Sequence, residues 1–253
     1  MLDTSFQAAF EKHSAGLDPN SRGFCERVFS TDPSVYENRL KAIGFQNMDR
    51  VLDAGCGFGQ WALVMAGMNR EVHAIDVDPS RVEFLCEMVA QGAGRVAASC
   101  SKTSTLAYPD GHFEGIFSYS VIFLGDWKRT LREFHRVLRP GGRLFFNFND
   151  LGWFLHLWRN RPNAAENYDP RLNAARAFIR TVEYEQGDES ALEGEKIIEQ
   201  ETCIEELRLA GFTDIECGAD GALSVDQSIP VKSFYPEFHD GLPGIREILC
   251  TRA

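Results

Sequence analysis

Between residues 50 and 148 the sequence alternates short apolar runs with amphipathic stretches, and this constrains the fold more than any other feature. Residues 50–53 (RVLD), 71–76 (EVHAID), 95–98, 113–118 (FEGIFS) and 143–148 read as strands. Helices are predicted after the glycine-rich turn to about residue 68, from Asp78-Pro79 to about residue 91, and over 126–138, stopped by Pro140-Gly141-Gly142. Asp78 can cap free amides and Pro79 suits the first helical position. Val82, Leu85, Met88 and Val89 then follow at helical spacing. Strand and helix in regular turn imply a parallel sheet with helices on both faces.

Outside that stretch the pattern changes. The first 48 residues read as a helical preamble with turns at 18–20 and 31–33. Residues 151–185 read as helical, with turn signals at 161–163 and 169–170. A helix over 202–210 and strands over 213–217 and 245–251 follow, with a Gly-, Pro- and aromatic-rich loop at 218–244. The predicted organisation is a preamble (1–48), an α/β core (49–150), a helical lid insertion (151–199) and a segment completing the sheet (200–253).

Composition excludes several classes. With 26 basic against 37 acidic residues the formal net charge is −11, which argues against nucleic-acid phosphates as substrate. Residues 183–206 hold ten acids and one lysine, a solvated acidic face. No apolar run reaches the roughly 18 residues of a membrane span. The N-terminal residues lack a basic start and an apolar run, so no leader is expected. Seven scattered cysteines without a Cys-x-x-Cys pair fit a reducing cytoplasm, with no disulfide framework and no metal site.

The strongest local signal is Val51-Leu52-Asp53-Ala54-Gly55-Cys56-Gly57-Phe58-Gly59, a strand entering a glycine turn ahead of a helix. Glycines there let a ligand approach the backbone, and the amides opening the helix face it. Asp76 closes the next predicted strand, where an acid can accept bonds from ribose hydroxyls. The plainer alternative is a structural turn and an unrelated surface acid. A dinucleotide fingerprint also needs a glycine or alanine at its sixth position, and here that residue is Gln60.

VLDAGCGFG resembles the first motif of class I S-adenosylmethionine-dependent methyltransferases. LAYPDGHFEGIFSYSVIFL is similar to that family's fourth-strand region, LREFHRVLRPGGRLFF to its fifth, and CIEELRLAGFTDIE to its later helix and strand. The match covers roughly 50–150 and 200–217. It implies a doubly wound, Rossmann-like α/β fold with a mostly parallel seven-stranded sheet in the order 3-2-1-4-5-7-6, the last strand antiparallel. It implies S-adenosylmethionine as cofactor and S-adenosylhomocysteine as product. The methionine end would lie against Gly55, Cys56 and Gly57, with Asp53 near its ammonium, Asp76 on the ribose and Val77 beside the adenine. The slot that often carries an acid or Asn for the adenine amine holds Lys102, flanked by Ser101 and Thr103. Tyr119 matches a position whose backbone often touches the cofactor.

Methyl transfer needs alignment more than acid–base machinery, because the sulfonium carries its own leaving group. The acceptor is therefore sought in parts outside the family pattern. His156 lies in the insertion and is the candidate catalytic base, with a lid-packing histidine as the alternative; His73, His112 and His135 read as structural or surface residues. Tyr36 and Tyr168 are further candidates. Trp153, Phe154, Leu157 and Trp158 form the most apolar stretch of the insertion, which could line an acceptor pocket, pack the lid, or lie on a membrane surface beside Arg159 and Arg161. No Asn/Asp-Pro-Pro-Tyr/Phe follows the fourth strand, which argues against base amines as acceptors. The expected activity is methylation of a small molecule or metabolite in the cytoplasm. The rival readings are an NAD-type oxidoreductase and a non-catalytic nucleoside-cofactor-binding protein.

Overall fold

Three helices lead the chain in the computed structural model, which describes residues 4–13 and 16–253: α1 (Thr4–His13), α2 (Pro19–Ser30) and α3 (Pro33–Ala42). Residues 1–3, 14 and 15 of the predicted preamble lie outside the described residues. The core alternates through β1 (Arg50–Ala54), α4 (Gln60–Ala66), β2 (Glu71–Asp76), α5 (Pro79–Ala90), β3 (Val96–Cys100), β4 (Phe113–Ser118), α6 (Trp127–Val137) and β5 (Leu138–Asn149). Beyond it come α7 (Leu151–Asn160), α8 (Pro170–Glu185), α9 (Gln200–Ala210), β6 (Phe212–Ala219), the short strands β7 (Phe238–His239) and β8 (Leu242–Pro243), and β9 (Ile245–Arg252).

Four helices start at an Asp-Pro step. In α2, α3, α5 and α8 the proline sits in the first turn and the preceding aspartate accepts from a backbone N–H two or three residues on. Proline loses nothing there, since that amide has no intrahelical partner, and the carboxylate satisfies an orphan donor. The turns predicted at 18–20 and 31–33 are therefore helix starts. Pro140-Gly141-Gly142 lies inside β5, where the register with β4 shifts between Phe113 and Gly115; the chain leaves α6 at once into an irregular strand instead of turning first. The predicted 218–244 loop contains the β7–β8 hairpin.

Seven strands form one sheet in the order β3-β2-β1-β4-β5-β9-β6, parallel from β3 to β5 and antiparallel at β9 with both neighbours. This is the order the family resemblance implies. Both faces are covered, as a parallel sheet requires. Leu52, Ile116, Leu144 and Phe146 pack on one side with Leu131 and Phe134 of α6 and Leu207 of α9. Val51, Phe117 and Phe145 pack on the other with Leu40 of α3 and Trp61 of α4.

Helices α7 and α8, within the predicted insertion, pack on each other. Phe154 and Leu157 are fully or almost fully buried against Ala174, Ala177 and Ile197. Trp158 is 47% exposed, with the Arg171 guanidinium 5.8 Å from its ring. The apolar face of α7 is thus occupied by α8, which leaves Trp158 alone for any membrane contact near 151–161. Among the described residues, no helix is long and apolar enough to cross a membrane.

Candidate functional site

A cleft opens over the C-terminal ends of β1, β2 and β4. Gly55, Cys56, Gly57, Asp76, Val77, Ser101, Lys102, Thr103 and Tyr119 all line it, so the structure brings these nine predicted residues together. Asp53 lies in β1 just ahead of the glycine turn, with its side chain buried. A roomier groove of about 420 Å³ between α2, α3 and α4 shares only Gln60 with the cleft and is mostly apolar; Tyr36 lines that groove instead.

The glycine turn is a backbone cradle. Gly55 has φ +85°, and a Cβ there would lie 2.3 Å from Val121, so a side chain is excluded on two grounds. Gly57 has φ +55°, yet a Cβ there would meet only Phe24 at 3.8 Å, so the space above this backbone is open to a ligand. The amides of Gly55 and Cys56 both donate to the Ile75 carbonyl at 2.8 Å, fixing the turn to β2.

The two acids beneath the cradle differ. Asp76 accepts from the amides of Gly57 and Asp78, each at 2.9 Å and each on a different oxygen. Each oxygen keeps acceptor capacity for a ribose hydroxyl. Asp53 is 1% exposed, and its Oδ2 has no hydrogen-bond partner. Burial, then the charge of Asp76, push its carboxyl up to about 8. A buried carboxylate oxygen without a partner is costly, and a cation would complete it.

The aromatic wall lies on the sheet's other flank. Tyr119 stands 5.3 Å from Trp61 and 6.2 Å from Phe234 between ring centroids, and the Arg39 guanidinium lies 5.2 Å from its ring. Its hydroxyl donates to Asp220 at 2.8 Å. Arg39 is itself buried and pairs with both Asp220 and Glu247. Burial raises the Glu247 carboxyl to about 7 although Arg39 opposes it; for Asp220, burial is outweighed by Arg39, and its carboxyl is lowered. Burial pushes the Tyr119 hydroxyl well above its ordinary value, so it stays protonated.

His156 is not among the residues lining the cleft. Its ring lies 4.1 Å from that of His239 and 5.7 Å from Trp153, and its Nδ1 is 2.8 Å from the Asn160 amide nitrogen. Tyr168 does not line the cleft either; it closes a small turn by bonding Ala165. The cleft instead includes Phe24, Trp61, Arg81, Asp126 and Glu193, none of them read from the sequence. One available signal was the polar step in the apolar run FFNFN. Asn147 is buried in β5 and accepts the Ser120 amide at 2.5 Å, holding Ser120 at φ +60° beside Tyr119.

Comparison with known proteins places this geometry. Residues 51–142 match the family model described as methyltransferase domain. The demethylmenaquinone methyltransferase of Geobacillus kaustophilus is 29% identical over 111 residues, 42% of this chain and 47% of that protein. The 27-O-demethylrifamycin SV methyltransferase of Amycolatopsis mediterranei is 36% identical over 100 residues, 38% of this chain and 37% of that protein. The chain thus spans less than half the length of either relative. A geranyl diphosphate methyltransferase, solved in complex with S-adenosylmethionine, shares the fold with a TM-score of 0.61 at 16% identity, covering 95% of each chain. Residues 51–142 thus match a methyltransferase domain, and the sheet built around them has the strand order that the resemblance to class I S-adenosylmethionine-dependent methyltransferases implies.

Proposed function

We propose that the protein transfers a methyl group from S-adenosylmethionine to a small-molecule acceptor in the cytoplasm. The observation that carries the reading is the buried Asp53 carboxyl, whose Oδ2 has no partner, just ahead of the open backbone of Gly57. A ligand bearing a cation next to a flexible chain fits both at once. The backbone of Gly55, Cys56 and Gly57 would hold the methionine end, with Asp53 toward its ammonium. Asp76 would take the ribose through its spare lone pairs, and Val77, 65% exposed at the rim, would lie beside the base near Ser101, Lys102 and Thr103. A dinucleotide is disfavoured by Gln60, which stands where glycine or alanine permits close helix–strand packing under a pyrophosphate.

When bound, S-adenosylmethionine supplies an activated methyl group on a sulfonium whose departure needs no acid. The chain's part is then alignment and exclusion of water. Phe24, Trp61, Tyr119 and Val121 supply apolar wall at the mouth of the cleft. We assign the acceptor to this wall and give no proton transfer to His156, whose ring is engaged elsewhere. Tyr119 cannot act as a base while its hydroxyl is held protonated on Asp220. Acceptors that lose no proton in the transition state, or that are already anionic, suit such a site.

Two measurements test the reading. Calorimetry with S-adenosylmethionine, S-adenosylhomocysteine and NAD should give binding to the first two and far weaker binding to NAD; tight NAD binding alone would overturn it. A turnover screen across acceptor classes, following S-adenosylhomocysteine release, should find activity on small apolar or aromatic acceptors. Cofactor binding without turnover on any class would favour the non-catalytic alternative.

A further inference from the structure

We propose that Glu193, carried by the lid, reads the exocyclic amine of adenine at the nucleoside end of the cleft; this rests on the S-adenosylmethionine reading above. The turn around Glu193 is built with unusual care. Lys196 is completely buried, and its ammonium donates to the carbonyls of Ala191, Leu192 and Gly194 at 2.9, 3.0 and 2.9 Å. The same ammonium lies 5.1 Å from the Tyr184 ring. The amides of Gly194 and Lys196 donate to the carbonyls of Leu124 and Phe123, tying the turn to the segment after β4. A buried lysine is tolerated only when its donors are satisfied, and here three carbonyls of one turn satisfy them.

What this frame presents to the cleft is Glu193. Its carboxylate lines the cavity and meets the Lys102 ammonium at 2.6 Å, while both side chains remain largely in water. Such an exposed pair contributes little by itself and opens readily. It brings an acid from the lid to the loop after β3, beside Ser101 and Thr103.

Adenine offers a donor amine, which needs an acceptor. Lys102 and Arg81 can only donate. The Thr103 hydroxyl is paired with that of Thr130 at 3.1 Å, and Ser101 donates within its own loop. Asp76 holds two backbone amides and is assigned to the ribose, and Asp126 caps α6, taking the Arg129 N–H and the Tyr184 hydroxyl both on Oδ1. Glu193 gives one oxygen to Lys102 and has the other to offer. Its carboxylate would accept from the amine and would face a carbonyl oxygen if the base were hypoxanthine. The lid would thereby sense which base is bound.

The test is calorimetry of S-adenosylhomocysteine against S-inosylhomocysteine, on the wild type and on Glu193→Gln. The wild type should prefer the adenosyl ligand by at least about tenfold, as expected when a site built for a donor meets an acceptor. In Glu193→Gln, whose amide can accept or donate, the preference should fall to within about threefold. Melting temperature should not change, since the side chain lies outside the core. If the wild type prefers adenosyl and the variant keeps that preference in full, Glu193 is not the reader, and the cofactor reading stands. Equal wild-type binding of the two ligands overturns the proposal in the same way. If the wild type binds neither, the cofactor reading itself fails.

Discussion

The Tyr119 hydroxyl donates to Asp220 at 2.8 Å, joining the residue after β4 to the residue after β6. The same carboxylate accepts from Arg39 of α3 and from the amides of Phe234 and Tyr235. Preamble, sheet and the 218–244 loop therefore meet at one buried acid. The aromatic wall of the cleft owes its position to that charge network as well as to packing.

Removing the cation should expose how much the network matters. Arg39→Met leaves Asp220 and Glu247 buried without their cation, and breaking a buried pair this way costs about 3–5 kcal/mol. Urea denaturation should register it. The folded-state pKa of Glu247, about 7, stands above its ordinary 4.5, so the folded state binds the extra proton between those values. Its contribution to stability is full below about pH 4.5 and is lost as pH rises through 7. Asp220, with a lowered pKa, acts in the opposite sense: its contribution is present above 3.8 and is lost in acid. The decline toward neutral pH should steepen in Arg39→Met; a profile parallel to the wild type would count against the assignment.

Asp53 should make cofactor binding pH-dependent. In the free protein its carboxyl titrates near 8, and a cationic ligand favours the ionised form. Binding at pH 7 should release close to one proton, seen as a buffer-dependent enthalpy. Affinity should rise by up to about tenfold per pH unit until pH 8. By the same sign, ligand-free stability from this group falls as pH rises from 3.8 toward 8. Asp53→Asn should abolish the proton release; its persistence would point to another group.

The two glycines of the cradle should separate in their effects. Gly57→Ala fills open space at a left-handed position, so it should cost about 1–2 kcal/mol of stability and weaken cofactor binding at least tenfold, roughly 1.4 kcal/mol. Gly55→Ala drives a methyl into Val121 and should lower the melting temperature further. Equal cofactor affinity in Gly57→Ala and wild type would remove the cradle from the site.

The aromatic residues of α7 should divide by burial. Phe154→Ala should destabilise by about 3–5 kcal/mol through the cavity it leaves. Trp158→Ala, half exposed, should stay within about 0.5 kcal/mol and leave turnover unchanged. A selective loss of acceptor affinity in Trp158→Ala would return the acceptor site to the lid.

The parallel core was legible because its central strands are apolar and buried and most helix starts there are marked by their own residues. Residues 71–76 and 113–118 match β2 and β4 to the residue for that reason. The nine cleft residues were legible because the glycine turn and the strand ends carry them in fixed order. What the sequence hides is contact across long separations. Arg39 meets Glu247 across 208 positions and Asp220 across 181, and neither acid has a local signature. Glu193 sits in an acidic run that looks like plain solvated surface until Lys196 folds it toward Lys102. His156, which does not line the cleft, met a similar ambiguity. Helical spacing in α7 shows that one face is apolar, and cannot say that the neighbouring ring belongs to His239 rather than to a ligand.

The position of β9 also sets an order of assembly. It lies between β5 and β6, and among the described residues β6 pairs with no other strand. As the chain is synthesised, β1 to β5 can form the cradle and both its acids while β6 has nowhere to dock. Only when β9 arrives does the sheet extend to β6, and with it come Glu247 and the final seat for Arg39. The cradle can thus form before the charge network that seats Tyr119 is complete. An early cofactor would bind this scaffold, and by stabilising it would favour completion of the rest.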